Sequence, residues 1–222
     1  MQAIPMDAFI FDLDNTLYPA STPLFPLIDA RINTYMHQRA GIPKERVDHL
    51  RRQYWQEYGL TMVGLARHHG VDPEDYLEYV HDVDVAAILR PCPELAEALA
   101  NLPGAKVILT NGSMGHARRV LEVLGLQEVF TEIFDVRLAA YRPKPYPEPY
   151  REMLRRLGVP GSRCVMVEDM ALNLKTAKEF GMATVLIGPG NGETYVDMRI
   201  DDVTLFPEAY GRFAREKGSL TP

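Results

Sequence analysis

The nine residues Phe9-Ile10-Phe11-Asp12-Leu13-Asp14-Asn15-Thr16-Leu17 place two carboxylates two positions apart where an apolar run ends. Residues 8–11 are rich in aromatic and branched side chains and read as a buried strand. Alternation along an extended chain aims Asp12 and Asp14 to the same side, and the carboxyl ends of parallel strands are where doubly wound sheets hold ligands. One carboxylate can then act as nucleophile and the other as proton carrier, which is what phosphoryl transfer through aspartate requires. The same pair also suits a plain turn whose side chains cap their own backbone, so residues further along the chain must decide.

Three later apolar runs end in polar residues in the same way. Residues 106–109 lead into Thr110-Asn111-Gly112-Ser113, residues 164–167 into Glu168-Asp169, and residues 184–187 into Gly188-Pro189-Gly190. Helical patterns at 93–100, 114–124, 146–157 and 171–180 lie between them, and Gly125, Gly158 and Gly181 follow where a left-handed C-cap is wanted. Strand and helix in alternation predict an α/β fold: a doubly wound, parallel-sheet (Rossmann-like) core with every polar strand end on one rim. From about Thr22 to Ile88 the rhythm changes. Helical candidates at 24–39, 44–58, 61–69 and 73–80 follow one another without a convincing strand, the last opened by Asp72-Pro73 with Glu74 and Asp75 in its first turn. The expected organisation is a core of residues 1–18 and 90–222, with an all-helical cap of residues 19–89 inserted after the first strand as a lid over the rim. Residues 206–213 predict an amphipathic helix that packs Phe206, Tyr210 and Phe213 on the core before a flexible tail.

With 222 residues and 46% hydrophobic content, the chain is long enough for one domain carrying such an insertion. A net charge of -6 argues against nucleic-acid polymers and anionic membranes as partners, but not against a local basic pocket for a phosphate. Cys92 and Cys164 are far apart and lack CxxC spacing, so neither a disulfide frame nor a zinc site is expected, which suits a cytoplasmic protein. Residues 1–6 show no basic region leading into a long apolar stretch, and no segment approaches the roughly 20 apolar residues of a membrane span, so a soluble protein is expected.

The strand ends offer further chemistry. Thr110-Asn111-Gly112-Ser113, just before a helix, presents a hydroxyl and backbone N–H groups at a positive helix terminus, which suits an anion, although Ser113 also suits an ordinary N-cap. Lys144 lies in Arg142-Pro143-Lys144-Pro145-Tyr146-Pro147, where prolines hold it outside regular structure. So fixed, it can neutralise a carboxylate and a phosphate together; the plainer reading is a solvated surface lysine. Glu168-Asp169 would crowd carboxylates near Asp12 unless a cation relieved the repulsion, and oxygen ligands of this kind suit Mg²⁺. Other residues read as structural. Neighbouring His68 and His69 point about 100° apart on a helix and do not chelate one ion easily. His81, Asp82 and Asp84 read as caps and solvated turn residues, and Arg51-Arg52 as a solvated helix face. Tyr35, Tyr54, Trp55 and Tyr58 read as packing, with stacking on a nucleobase as their other use. Tyr18 is assigned to the substrate entrance from its position alone.

Taken in order, Asp12-Leu13-Asp14-Asn15-Thr16, Thr110-Asn111-Gly112, Lys144-Pro145 and Glu168-Asp169 resemble the haloacid dehalogenase superfamily. The longer strings around these motifs, with Lys144-Pro145-Tyr146-Pro147 and the segments His69-Gly70-Val71-Asp72-Pro73 and Val80-His81-Asp82-Val83-Asp84, are similar to its pyrimidine 5'-nucleotidase subgroup. The resemblance implies a Mg²⁺-dependent phosphomonoester hydrolase. In it Asp12 is the nucleophile that becomes an aspartyl phosphate, and Asp14 is the general acid and base. Thr110, Asn111, Gly112 and Lys144 hold the phosphoryl group, and Asp12, Asp14, Asp169 and Glu168 hold the metal. Asn173 would orient the metal shell or Lys144, at a position where many relatives carry an acid. The implied partner is a small phosphorylated metabolite, a nucleoside monophosphate such as UMP or CMP. The alternatives are a phosphatase for phosphoglycolate or a sugar phosphate, a phosphomutase, and a phosphate-binding regulatory protein without turnover. Asp14 favours a phosphatase over a dehalogenase, because halide leaves carbon without an acid.

Overall fold

The computed structural model describes residues 6–219. The readings of residues 1–5 and 220–222, on a leader and on the end of the tail, lie outside the described residues. Strand β1 (Ala8–Phe11) is buried along its whole length. Phe9 and Phe11 face one layer and Ala8 and Ile10 the other, so a strand covered on both faces has no polar position and its sequence is a continuous apolar run. The chain then leaves the sheet for α1 (Leu24–Gln38), α2 (Lys44–Tyr58), α3 (Thr61–His69), α4 (Pro73–Val80) and α5 (Val85–Ile88). It continues through α6 (Pro93–Ala100), β2 (Ala105–Leu109), α7 (Met114–Leu124), β3 (Glu132–Phe134), α8 (Pro147–Leu157), β4 (Cys164–Glu168), α9 (Ala171–Glu179), β5 (Ala183–Ile187), β6 (Met198–Ile200) and α10 (Phe206–Ser219).

Among the described residues the strands form one six-stranded sheet in the order β3-β2-β1-β4-β5-β6, every pair parallel. Phe11 stands opposite Ile108 on one side and Val167 on the other. The chain returns to one side of β1 with β2 and to the other with β4, so the carboxyl end of β1 is the switch point where open parallel sheets leave a crevice. The sequence pattern does not predict β3 and β6. Both are three-residue edge strands with an exposed charged residue, Glu132 and Arg199, and so lack the apolar run that marks a central strand.

On the Phe9 and Phe11 side the sheet is covered by α6, α7 and α10. The Phe206 ring stands edge-on to Phe9 at 5.9 Å and to Phe11 at 5.4 Å, contacts that add about 0.5–1.5 kcal/mol each to the burial of these rings. α10 thus docks as its amphipathic pattern predicts, but it runs on to Ser219 where a tail is expected after residue 213. Tyr150 and Met153 of α8 and Leu174 and Ala177 of α9 cover the other face. Helices α1 to α4 enclose a separate cluster that includes Met36, Tyr54, Leu65 and Tyr76 and is joined by Val136, whereas Leu24, Val85 and Leu89 pack in the cluster of Phe9 and Phe11. α2 ends on Gly59 at φ 78°, and a Cβ there would lie 3.0 Å from the Pro143 ring. Glycine is therefore needed twice, for the left-handed turn and for the close approach of the cap to the Lys144 loop. Among the described residues no helix is long and apolar enough to cross a membrane.

Candidate active site

The ladder between β1 and β4 extends one residue past the strand, because the Asp12 N–H donates to the Val167 carbonyl at 2.9 Å. This brings the Asp12 carboxylate to the rim beside Glu168 at the end of β4. Lys144 Nζ donates to Asp12 Oδ1 and to Glu168 Oε2, 2.7 Å to each, and Thr16 Oγ1 donates to Asp12 Oδ2 at 3.1 Å. Lys144 is therefore not a solvated lysine: its side chain is 2% exposed, and a charge so deep persists only when paired. Burial, then the charge of Glu168, pushes the Asp12 carboxyl up to about 7, although Lys144 pulls it down. Burial likewise holds Glu168 at about 7 against Lys144. Burial by itself would lower the ammonium of Lys144, but the two carboxylates raise it above its ordinary value.

The proline-framed loop is clamped from two sides. Asn111 Oδ1 accepts the Lys144 N–H at 2.8 Å and Asn111 Nδ2 donates to the Lys144 carbonyl at 3.0 Å. Thr176 Oγ1 donates to the Pro145 carbonyl at 2.7 Å, and the Lys144–Pro145 peptide is cis. The Thr110 N–H bonds the Phe134 carbonyl at 2.9 Å. Thr110 Oγ1 accepts the Gly112 N–H at 2.9 Å, so that N–H is tied within the turn and is not presented to a phosphate as the sequence reading expects. Ser113 caps α7 by accepting the His116 N–H, the plainer of its two readings. Carboxylate oxygens of Asp12, Glu168 and Asp169 all lie within 4.8 Å of one another, an all-oxygen donor set that fits a hard cation such as Mg²⁺. Asn173 is buried and lines the same cavity, and its backbone carbonyl accepts the Tyr150 hydroxyl at 2.9 Å.

Asp14 is held separately. Tyr18 Oη donates to Asp14 Oδ1 at 2.5 Å, and His116 Nε2 approaches the same oxygen at 2.7 Å. Among the described residues the buried His116 Nδ1 has no hydrogen-bond partner, which places the proton on Nε2, where it bonds Asp14. Burial pushes the Asp14 carboxyl up, but His116 and Tyr18 outweigh it and hold the group below its ordinary value. The chain turns away immediately afterwards through Asn15 at φ 61°, a conformation asparagine adopts more readily than most residues. Tyr18 thus corrects its expected place: it is buried behind Asp14 and does not line the cavity. His116 is absent from the sequence reading, since a histidine on the first turn of an amphipathic helix carries no sign of a partner 102 positions away.

His81 also departs from expectation. Its ring is buried, not solvated, and stacks on His116 at 4.6 Å with 15° between planes, while Nδ1 lies 3.1 Å from Ser113 Oγ. Burial, with His116 beside it, pushes its pKa down to about 3. Asp82 and Asp84 behave as predicted, the first exposed in an ion pair with Arg31 and the second capping α5. His68 and His69 bond the hydroxyls of Tyr58 and Tyr54. Tyr35 and Tyr54 are buried packing residues, but Trp55 is 49% exposed and lines the cavity. Arg51 lines it too, half-buried and bound to Asp29 at 2.6 Å, so it does not belong to a solvated face. The cavity has a volume of about 800 Å³ and joins the acids of the sheet rim to the inner wall of the cap.

A doubly wound core with this acid and lysine constellation beneath a helical cap defines a hydrolase class, and the sequence matches one family. The haloacid dehalogenase-like hydrolase family matches residues 6–181, and the chain belongs to it. The chain is similar to Phosphate metabolism protein 8 of Saccharomyces cerevisiae, 28% identical over 195 residues that cover 80% of this chain and 60% of that protein. It is 29% identical over 209 residues to the phosphoglycolate phosphatase of Rhodospirillum rubrum, covering 82% of this chain and 80% of that one. The structure of CbbY from Rhodobacter sphaeroides in complex with phosphate has the same fold, with a TM-score of 0.64 at 21% identity, covering 90% of this chain and 95% of that one. Another relative, the glyceraldehyde 3-phosphate phosphatase of Methanopyrus kandleri, is 28% identical over 216 residues that cover 90% of this chain and 91% of that one.

Proposed function

We propose that the protein is a Mg²⁺-dependent phosphomonoesterase that works through an aspartyl phosphate on Asp12, with a pyrimidine nucleoside monophosphate such as UMP or CMP as its substrate. The observation that carries the reading is the Lys144 ammonium, 2.7 Å from both Asp12 and Glu168, beside a second carboxylate oriented by donors of its own. Asp12 attacks phosphorus and the bond from phosphorus to the leaving alkoxide breaks; Asp14, ionised in the free site, takes up a proton as the negatively charged phosphate arrives beside it and delivers that proton to the alkoxide. Water then attacks the aspartyl phosphate, Asp14 takes its proton, and orthophosphate leaves with Asp12 restored. We assign the Thr110 hydroxyl and the Asn111 N–H to the phosphoryl oxygens, and Lys144 to the charge they carry. Asp12, Glu168, Asp169 and the Asp14 carbonyl would hold Mg²⁺, which supplies positive charge opposite the phosphoryl oxygens. Both cysteines are unpaired, which supports a cytoplasmic setting.

Both donors to Asp14 converge on Oδ1, which leaves Oδ2 for the leaving group. His116→Ala is therefore expected to slow first-turnover release of an alkoxide by about 10²-fold, the low end of what general-acid catalysis supplies. p-Nitrophenolate, which departs without a proton, should leave in the first turnover at close to the wild-type rate. Rapid-quench measurements on both substrates check this, and an equal loss on both would remove His116 from the support of Asp14.

The cavity favours a substrate larger than the two-carbon compound named for the Rhodospirillum rubrum relative, because a nucleoside fills more of its roughly 800 Å³. Phosphate release with Mg²⁺ from UMP, CMP, phosphoglycolate and glyceraldehyde 3-phosphate tests the reading. UMP or CMP should give the highest kcat/KM. A preference for phosphoglycolate would discard the nucleotide reading, and no release from any phosphomonoester would discard the phosphatase reading.

A further inference from the structure

We infer that Trp55 and Arg51 form a second subsite, which takes a flat, polar-edged ring of the substrate while the acids at the sheet rim take its phosphate; the inference rests on the phosphomonoesterase reading above. Among the described residues the exposed large hydrophobic side chains are Phe25, Leu27, Trp55, Met170, Leu172 and Leu205. Four of these six, Phe25, Trp55, Met170 and Leu172, line the cavity that holds Asp12 and Asp14. Phe25 and Trp55 come from the cap helices α1 and α2, whereas Met170 and Leu172 follow directly after Asp169. Singly scattered surface hydrophobics need no explanation, but a set gathered on both walls of one cavity marks a binding surface. A substrate of two or three carbons would leave that surface wet, because its phosphate already consumes most of its reach.

The polar neighbours narrow the ligand further. Arg51 precedes Trp55 by one helical turn and shares its face of α2. The Arg51 guanidinium bonds Asp29 Oδ1 at 2.6 Å and Asn33 Oδ1 at 2.9 Å, and Asp29 also lines the cavity. A hydrocarbon body lying here would cover a cation and an anion without bonding either, which is unfavourable. A ring with hydrogen-bonding groups on its edge meets both needs: its face rests on the indole and its edge on the Arg51–Asp29 pair. That chemistry describes a nucleobase better than a sugar, an acid or a plain phenyl group.

Trp55 is the single tryptophan of the chain, so its emission reports this wall alone. In Asp12→Asn protein with Mg²⁺, UMP is expected to change tryptophan emission saturably, whereas orthophosphate and methyl phosphate bind without changing it. Trp55→Ala in the otherwise wild-type enzyme should lower kcat/KM for UMP by about tenfold, mid-range for loss of a base–aromatic stack, and leave the inhibition constant of orthophosphate unchanged. Trp55→Phe should recover most of the loss. An emission change produced by orthophosphate alone would mean that the cap closes over any anion and would overturn the subsite, as would silent emission while calorimetry records UMP binding. So would failure of UMP to bind more tightly than methyl phosphate, or an equal effect of Trp55→Ala on UMP and orthophosphate. Turnover of phosphomonoesters persisting beside any of these results sinks the subsite alone; absence of all turnover in the wild type sinks the phosphatase reading itself.

Discussion

Asp12→Asn is expected to lower phosphate release by at least about 10⁴-fold, because an amide in place of the carboxylate cannot form the acyl phosphate through which turnover passes. The fold should survive the change. Asparagine has nearly the same shape, and Lys144 keeps its 2.7 Å bond to Glu168. The carboxyl that is removed is one that burial already pushes up to about 7, so its charge adds little to stability at neutral pH. Melting within a few degrees of wild type and retained binding of orthophosphate with Mg²⁺ would show that the site is intact. Turnover above about 1% of wild type in that folded variant would end the aspartyl-phosphate mechanism.

Lys144→Met should remove both activity and stability, with a pH dependence that identifies the cause. Lys144 is the ammonium bonded to both Asp12 and Glu168, and each carboxyl has a folded-state pKa of about 7 against ordinary values of 3.8 and 4.5. Groups raised in this way bind protons on folding, so their contribution is fully present below about pH 4 and is lost as pH rises through 7. Without Lys144 both carboxyls move higher still, and the loss extends further into the alkaline range. The variant should therefore be about 3–5 kcal/mol less stable than wild type near pH 8, the cost of a buried ion pair that has lost one partner. Near pH 5 the difference should shrink, because both carboxyls are then protonated and no buried charge lacks a partner. Denaturant unfolding of the metal-free proteins at the two pH values measures this, and an equal loss at both would mean that Lys144 supports the fold by packing alone. Phosphate release should fall by about 10³-fold or more at either pH, since the charge opposite the phosphoryl oxygens is gone.

The central strands are legible in the chain because burial on both faces forces a continuous apolar run, as in Phe9-Ile10-Phe11 and Val165-Met166-Val167. The cap helices are legible from their periodicity and from local signals such as Asp72, whose side chain accepts the Glu74 N–H. The edge strands β3 and β6 are not, since three half-exposed residues carry no period. Within the site, Asp12, Lys144 and Glu168 are individually legible as chemistry that ends strands or sits in a proline frame. Their meeting at 2.7 Å depends on which strands neighbour β1.

The residues the sequence misreads share a cause. His81, Arg51 and Trp55 are each unremarkable along their own helix or turn; the first two are assigned by default to solvent, and Trp55 to packing ahead of stacking on a nucleobase. Their surroundings come from elements far away in the chain: His116 for His81, Asp29 for Arg51, and the Asp169 side of the core for Trp55. Tyr18 is misplaced for the same reason, because being near Asp14 in sequence says nothing about which side of the carboxylate the hydroxyl takes.

By itself the sequence determined the class of fold and marked the ionisable side chains proposed for the chemistry, because both follow from local rules: the period of burial along a strand, the restraint of prolines, and the ionisable side chains set at strand ends. Only the tertiary structure decided which oxygen of Asp14 is held, that Asn111 clamps the Lys144 loop, and that a tryptophan lines the same cavity of about 800 Å³ as the acids. Those facts are distances between residues tens of positions apart, and only the packing of cap, sheet and helices fixes them.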